Sequence, residues 1–389
     1  MDILTEFETK KVPKIIYACG ALKKVPEVIA DCGKRVLIVT DKGILSAGYP
    51  TTLQELLQSK GFVCEVYSEV RENPTETDVE SCAAFARQFK PEVLIGLGGG
   101  SSMDTAKACN FLYTNGGRME DYLGYGKATK PMLPLVCIPT TSGTGSECQS
   151  YALITRDTDH KKMACGDSKN AAFAAILDPE LTVSQPQKVF ANTGLDALAH
   201  AVETYVSLGA TPFSRLYSGE AFRLLALAFP KILRQPDSLE ARGAMLLGAT
   251  YAGLAIEHSM LGAAHGCANP LTARFKMTHG EAVGIMLPVV IRRNSEDFLY
   301  SELYDDLLGS VAGDADCQAE TLDQLIEDFL AAAGVPLTLE AFGVTEEDIS
   351  DLAEDAEGQW TSSFNPVGLN FRDFTELYGT VLLNRDLGE

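Results

Sequence analysis

Strand-like and helix-like segments alternate through the first 186 residues, and then the strands stop. Val36-Leu37-Ile38-Val39 is a short, wholly apolar run, as expected of a strand covered on both faces. Residues 51–60 follow as a helix, with Leu53, Leu56 and Leu57 on one face and Gly61 after it. The alternation continues with a strand at 62–67, a helix at 75–89, a strand at 93–97 running into glycines, a helix at 102–112 and a strand at 135–138. Strands separated by crossover helices predict a parallel, Rossmann-like sheet with helices on its faces. Beyond Pro186 the patterns are long and helical: 191–206, 214–233, 239–258, 281–291, 322–333 and 371–383. The expectation is an α/β domain over 1–186 and an all-α domain over 187–389, with ligands bound in a cleft where two domains abut.

Charge and thiols narrow the function. Lys and Arg total 32 against 53 Asp and Glu, a formal net charge of -21. So acidic a chain repels phosphate backbones, which excludes nucleic acid as the main ligand. The most apolar short run, 171–177, is far below the roughly 18 residues that span a bilayer, so no membrane partner is expected. The ten cysteines form no C-x-x-C pair and lie in apolar segments, and residues 1–6 lack the pattern of a signal peptide. A cytoplasmic protein without structural disulfides is predicted.

Three features of the first half suit a nucleotide. Gly98-Gly99-Gly100-Ser101-Ser102-Met103-Asp104 leaves a strand and opens a helix. Glycines there allow a ligand close to the backbone, and a helix start offers free N–H groups to a pyrophosphate. The run departs from G-x-G-x-x-G at Met103, and a tight turn serving only chain reversal is the plainer alternative. The loop 139–147, with Thr140, Thr141 and Thr144, is rich in hydroxyls and glycine, as either a polar ligand site or a surface loop would be. Asp41 ends the first clear strand, where a carboxylate binds ribose hydroxyls or else caps a turn.

The second half holds four of the five histidines, His200, His258, His265 and His279, with His160 among charged residues outside it. Asp196 and His200 are four apart in a helical pattern, so they share one face. His265 precedes Gly266 and an expected helix break at Pro270; His279 precedes Gly280. One carboxylate and three imidazoles suit divalent Fe or Zn and disfavour Mg or Ca. The alternatives are a helix-surface pair for Asp196 and His200, and core histidines with one backbone partner for His265 and His279. His258 stands two turns before His265 if one helix continues, as a pocket-lining residue or a packing one.

Taken in order, these segments resemble the iron-containing (group III) alcohol dehydrogenase family over essentially the whole chain. Asn73-Pro74-Thr75, Gly98-Gly99-Gly100-Ser101 with Asp104 and Lys107, 139–147, Leu177-Asp178-Pro179-Glu180-Leu181-Thr182, 194–203 and His279-Gly280-Glu281 fall at family-like spacing. The resemblance implies a dehydroquinate synthase-like fold and a nicotinamide cofactor on the first domain. Gly98 to Ser101 would contact the pyrophosphate, with Asn73, Ser102, Asp104, Thr140, Thr141, Thr144, Lys162 and Leu181 on the cofactor side. Lys161 is the alternative to Lys162. Asp41 stands where NAD-preferring members carry an acid, which favours NAD over NADP. Asp196, His200, His265 and His279 match the metal ligands, for Fe2+ with Zn2+ as the alternative, and a homodimer or larger homo-oligomer is implied. Many members carry a further histidine four residues after the third ligand; here Asn269 occupies the place. Asparagine does not titrate, so a proton relay would need water or another group such as His258.

The expected activity is interconversion of a small primary alcohol and its aldehyde with NAD(H). One rival is a dehydroquinate synthase-like lyase, which uses NAD without net change; the Asp196-x-x-x-His200 arrangement counts against it. The other is a non-catalytic NAD-binding relative, favoured mildly by Asn269 and opposed by the intact ligand set.

Overall fold

A computed structural model describes residues 6–158, 161–275 and 277–383. His160 lies outside the described residues. The chain divides into two compact units, one of residues 10–185 and one that begins at Pro186 and takes in residues 6–9.

The first unit is built on β1 (Lys14–Tyr17), β2 (Arg35–Asp41), β3 (Val63–Val70), β4 (Val93–Gly98), β5 (Gly124–Tyr125), β6 (Leu135–Pro139), β7 (Tyr151–Thr155), β8 (Lys162–Gly166) and β9 (Ala174–Leu177). Six of these form a parallel sheet in the order β1-β9-β6-β4-β2-β3. Its helices are α1 (Val25–Val28), α2 (Lys42–Ser46), α3 (Tyr49–Ser59), α4 (Glu76–Phe89) and α5 (Gly100–Thr114). Period-two alternation along the strands fills two apolar layers. Leu37, Val39 and Leu94 join Val79, Ala83 and Phe111 of α4 and α5; Val36, Ile38 and Val93 join Leu53 and Leu57 of α3 on the other face. Covering both faces is why the central strands read as continuous apolar runs. From β2 the chain runs outward to β3, whereas from β4 it runs the other way to β6. The ends of β2 and β4 therefore flank a topological switch point, the usual ligand position in such sheets.

Beside this sheet, β5, β8 and β7 form a small mixed one. Neither it nor β1 is marked in the sequence, since these strands are two to five residues long and carry exposed positions.

The second unit contains α6 (Gln187–Val206), α7 (Pro212–Arg234), α8 (Leu239–Glu257), α9 (Ala263–Arg274), α10 (His279–Asn294), α11 (Phe298–Gly309), α12 (Leu322–Ala332), α13 (Ile349–Glu357) and α14 (Phe371–Leu383), and no strand among the described residues. Helix α6 runs through its middle, packed on α7, α8 and α10. Close approach needs glycine: a Cβ on Gly194 would lie 2.6 Å from the Phe229 ring of α7. The expected break at Pro270 does not occur, because α9 runs through it to Arg274. The missing N–H costs a helix roughly 3 kcal/mol, and burial of Cys267, Pro270 and Leu271 offsets it. Conversely, α8 and α9 are separate helices, so His258 and His265 do not share one helix face.

No described helix is long and apolar enough to cross a membrane. All ten cysteines are unpaired, and burial pushes the Cys137 and Cys165 thiols up to about 12, so these serve packing rather than chemistry.

Candidate metal centre and nucleotide-binding turn

Helix α6 carries Asp196 and His200 one turn apart. His265 is the third residue of α9 and His279 the first of α10. Asp196 Oδ1 faces the Nε2 atoms of His200, His265 and His279 at 3.3, 3.4 and 3.8 Å. The His200 and His265 rings stack at 4.8 Å, and His279 meets His265 edge-on at 5.3 Å. Ligand atoms of Asp196, His265 and His279 lie within 4.8 Å of one another.

These distances fit a metal. Bonds of about 2.1 Å to four ligands at tetrahedral angles give ligand–ligand edges of about 3.4 Å. Asp196 Oδ1 and His265 Nε2 are buried and make no hydrogen bond, an arrangement that otherwise costs stability. Burial opposes ionisation of Asp196, but the imidazoles of His200, then His265 and His279, outweigh it and hold the carboxyl well below its ordinary range. For His265 burial favours the neutral ring, yet Glu203 and Asp196 raise it to about 9. The His279 side chain is 29% exposed, whereas those of Asp196, His200 and His265 are under a tenth exposed, so the cluster opens at His279.

Local sequence fixes each ligand. Thr278 caps α10 in a reciprocal box with Glu281, and Asn192 of α6 donates to Thr278 Oγ1 at 2.8 Å. The glycine after each of the two later histidines permits close packing. A Cβ on Gly280 would sit 1.8 Å from the Asn192 carbonyl oxygen, and one on Gly266 2.0 Å from Ser362 Oγ. Gly280→Ala is expected to push α10 off α6, cost about 3 kcal/mol or more and weaken metal retention, read by urea unfolding and metal content. A variant with native stability and a full complement of metal would contradict this.

Two sequence candidates sit apart from such a role. His258 Nδ1 lies 2.8 Å from the Leu254 carbonyl at the end of α8, with its ring 4.7 Å from Phe213. Asn269 stands one turn beyond His265 on α9, its amide donating to Gln359 Oε1 at 3.0 Å. Glu203, which spacing did not single out, touches His265 directly: its Oε2 is 2.5 Å from Nδ1. It lies seven residues after Asp196, on the same face of a helix otherwise rich in small and apolar residues.

In the first unit, Gly98 ends β4 with φ +149° and Gly99 is the N-cap of α5, with no side chain capping the helix. Side chains are excluded there: a Cβ on Gly98 would lie 2.5 Å from Ser102 Oγ, and one on Gly100 2.9 Å from Thr144 Cγ2. Thr141 lies 3.5 Å from the corresponding position on Gly99. Thr140 N donates to the Gly98 carbonyl at 3.0 Å, and its buried Oγ1 has no partner. The glycine turn and the threonine loop thus form one cradle with bare N–H groups, which suits a pyrophosphate. Asp41 acts as the cap of α2, its Oδ1 accepting from Ile44 N at 3.0 Å, and its Oδ2 accepts from Ser102 Oγ at 3.3 Å beside Gly98.

Other cofactor-side candidates are placed differently. Asp104 has both its oxygens engaged within the protein. Oδ1 accepts from Ser146 Oγ at 2.6 Å and lies 3.5 Å from Lys107 Nζ, while Oδ2 accepts from Leu153 N at 3.1 Å. Its geometry holds the loop and the small sheet to α5. Leu181 is buried in the apolar layer of the sheet. Exposed Asn73 has φ +51°, and its carbonyl accepts from Thr155 Oγ1 at 3.4 Å. Lys162 opens β8 and is exposed.

Comparison with known proteins agrees with both halves. A profile for iron-containing alcohol dehydrogenase matches residues 13–179, and one for the C-terminal part of the Fe-containing alcohol dehydrogenase family matches residues 190–382. The NAD-dependent methanol dehydrogenase of Bacillus methanolicus is 33% identical over 376 residues, 95% of this chain and 98% of the relative. A crystal structure of 1,3-propanediol oxidoreductase superimposes with a TM-score of 0.91 at 28% identity, over 97% of this chain and 100% of that one. Sulfoacetaldehyde reductase from Bifidobacterium kashiwanohense, crystallised with NAD+, gives 0.87 at 28% identity, over 97% and 99%. The chain belongs to the iron-containing alcohol dehydrogenase family.

Proposed function

We propose that the protein interconverts a small primary alcohol and its aldehyde by hydride transfer with NAD(H), using a divalent iron held by Asp196, His200, His265 and His279. The observation that carries this reading is the ring of three imidazole nitrogens around one Asp196 oxygen at tetrahedral-edge distances. The same ligand chemistry also accepts Zn2+. When bound, the metal supplies a Lewis acid that polarises the substrate oxygen. Asp196 contributes the negative charge that offsets the cation, and the open side at His279 leaves room for a substrate.

On the first unit, the bare N–H groups at Gly99 and Gly100 hold the pyrophosphate and Asp41 takes the ribose hydroxyls. Asp41→Asn keeps the cap to Ile44 and removes the charge that repels a 2′-phosphate. It is expected to narrow the NADH over NADPH preference in kcat/KM by about tenfold (one such charge contact, about 1.4 kcal/mol). An unchanged ratio would remove Asp41 from cofactor selection.

Absorbance at 340 nm with anaerobically iron-loaded protein, NADH and a panel of small aldehydes tests the activity. Net NADH consumption that depends on aldehyde and metal is expected. Firm NADH binding without turnover on any aldehyde would overturn the proposal in favour of a binding protein. We also place the protein in the cytoplasm, where ten thiols stay reduced, and as a homo-oligomer, in keeping with the exposed Leu216, Phe298 and Leu299.

A further inference from the structure

Glu203 lies one turn beyond His200 and two beyond Asp196, so α6 brings three chemically active side chains to one side. The residue is 4% exposed. Its two oxygens do different work. Oε1 accepts from the backbone N–H of Ala264 at 2.7 Å and of His265 at 3.3 Å, while Oε2 meets His265 Nδ1 at 2.5 Å. Ala264 and His265 are the second and third residues of α9, whose N-cap, Gly262, supplies no side-chain acceptor. The first N–H groups of a helix need partners from outside it, and a carboxylate is the favoured one. Here the carboxylate comes from another helix.

The ring contact settles the imidazole's orientation. A carboxylate accepts and does not donate, so the nitrogen facing Oε2 carries hydrogen. Nδ1 is that nitrogen, and Nε2, which lies 3.4 Å from Asp196 Oδ1 without a hydrogen bond to it, is the nitrogen that would offer its lone pair to a bound ion. Gly262 makes the approach possible: a Cβ there would lie 3.1 Å from Glu203 Oε1.

We propose that Glu203 is a positioning residue for the metal centre: it fixes the tautomer and aim of His265 and fastens the start of α9 to α6, so that ligands from two helices meet one ion. The inference rests on the metal reading above, and its test separates the two.

Wild type, Glu203→Gln and Glu203→Ala are loaded anaerobically with Fe(II) and, separately, Co(II). Metal per chain, transfer to a chelator and the Co(II) ligand-field spectrum are measured, with circular dichroism of each metal-free form to check folding. Glutamine keeps one acceptor for the α9 N–H groups but presents NH2 to Nδ1. That favours the tautomer with hydrogen on Nε2, the nitrogen needed by the ion. Glu203→Gln is therefore expected to stay folded, hold metal about 10- to 100-fold more weakly and shift the Co(II) bands. Glu203→Ala also loses the cap and is expected to fall further; if it does not fold, the glutamine variant alone decides. A folded Glu203→Gln protein with wild-type retention and an unchanged Co(II) spectrum overturns the assignment while leaving the metal centre standing. A wild type that never holds one ion per chain sinks the metal reading, and this inference with it.

Discussion

A His265→Ala protein is expected to keep its helices and lose both its iron and its turnover. The side chain removed supplies one of three nitrogens around Asp196 Oδ1 and is the one shared with Glu203. Truncation leaves the Glu203 and Asp196 carboxylates buried and facing a void, and uncompensated buried charge costs several kcal/mol. The remaining His200 and His279 then hold an ion on an incomplete set. Metal per chain should fall below a tenth, and NADH oxidation with a good aldehyde should fall below detection. His279→Ala tests the same point from the exposed side, where α10 retains its Thr278 and Glu281 cap and folding is least disturbed. Wild-type turnover in either variant, purified free of metal, would end the catalytic proposal.

The second large effect concerns Lys107, which has no part in the metal centre. Its side chain is fully buried, and its ammonium donates to the Ser146 carbonyl at 2.7 Å, Ser146 Oγ at 2.6 Å and the Tyr151 carbonyl at 2.9 Å. Asp104 is the neighbouring charge at 3.5 Å. Lys107→Met fills similar space but leaves Asp104 without its counter-charge. Breaking a buried pair in this way costs about 3–5 kcal/mol. Ser146→Ala keeps both charges but removes the hydroxyl that bridges them, and should cost about 2 kcal/mol. Urea unfolding of both separates them; equal and small losses would show that Lys107 contributes only packing.

The α/β alternation was legible because central strands buried on both faces must be continuously apolar, as in Val36 to Val39, and because Gly61 and Pro74 punctuate it. Edge strands such as β1 and the small mixed sheet lack that demand and leave no comparable trace. In the second half, helical periodicity placed α6, α7, α8 and α10 within a few residues, yet Pro270 was misread as a break, since the packing that holds α9 through it is tertiary. The four metal-ligating candidates could be picked out because Asp and His in a small-residue helix have few other uses. The internal partners of Asp104, Ser146 and Leu153, could not be read from the chain because they lie 42 and 49 residues away. Glu203 was hidden because its partner, His265, is 62 residues away in the chain.

Helices α6, α9 and α10 each bring a proposed ligand to one place, so a bound cation would tighten the lobe that they build. With free ion at a hundred times its dissociation constant, linkage adds about 2.7 kcal/mol against unfolding. Iron scarcity would therefore do more than slow the enzyme. Starved molecules would open more often and present cleavable backbone to proteases, so cellular abundance would track the supply of the ion.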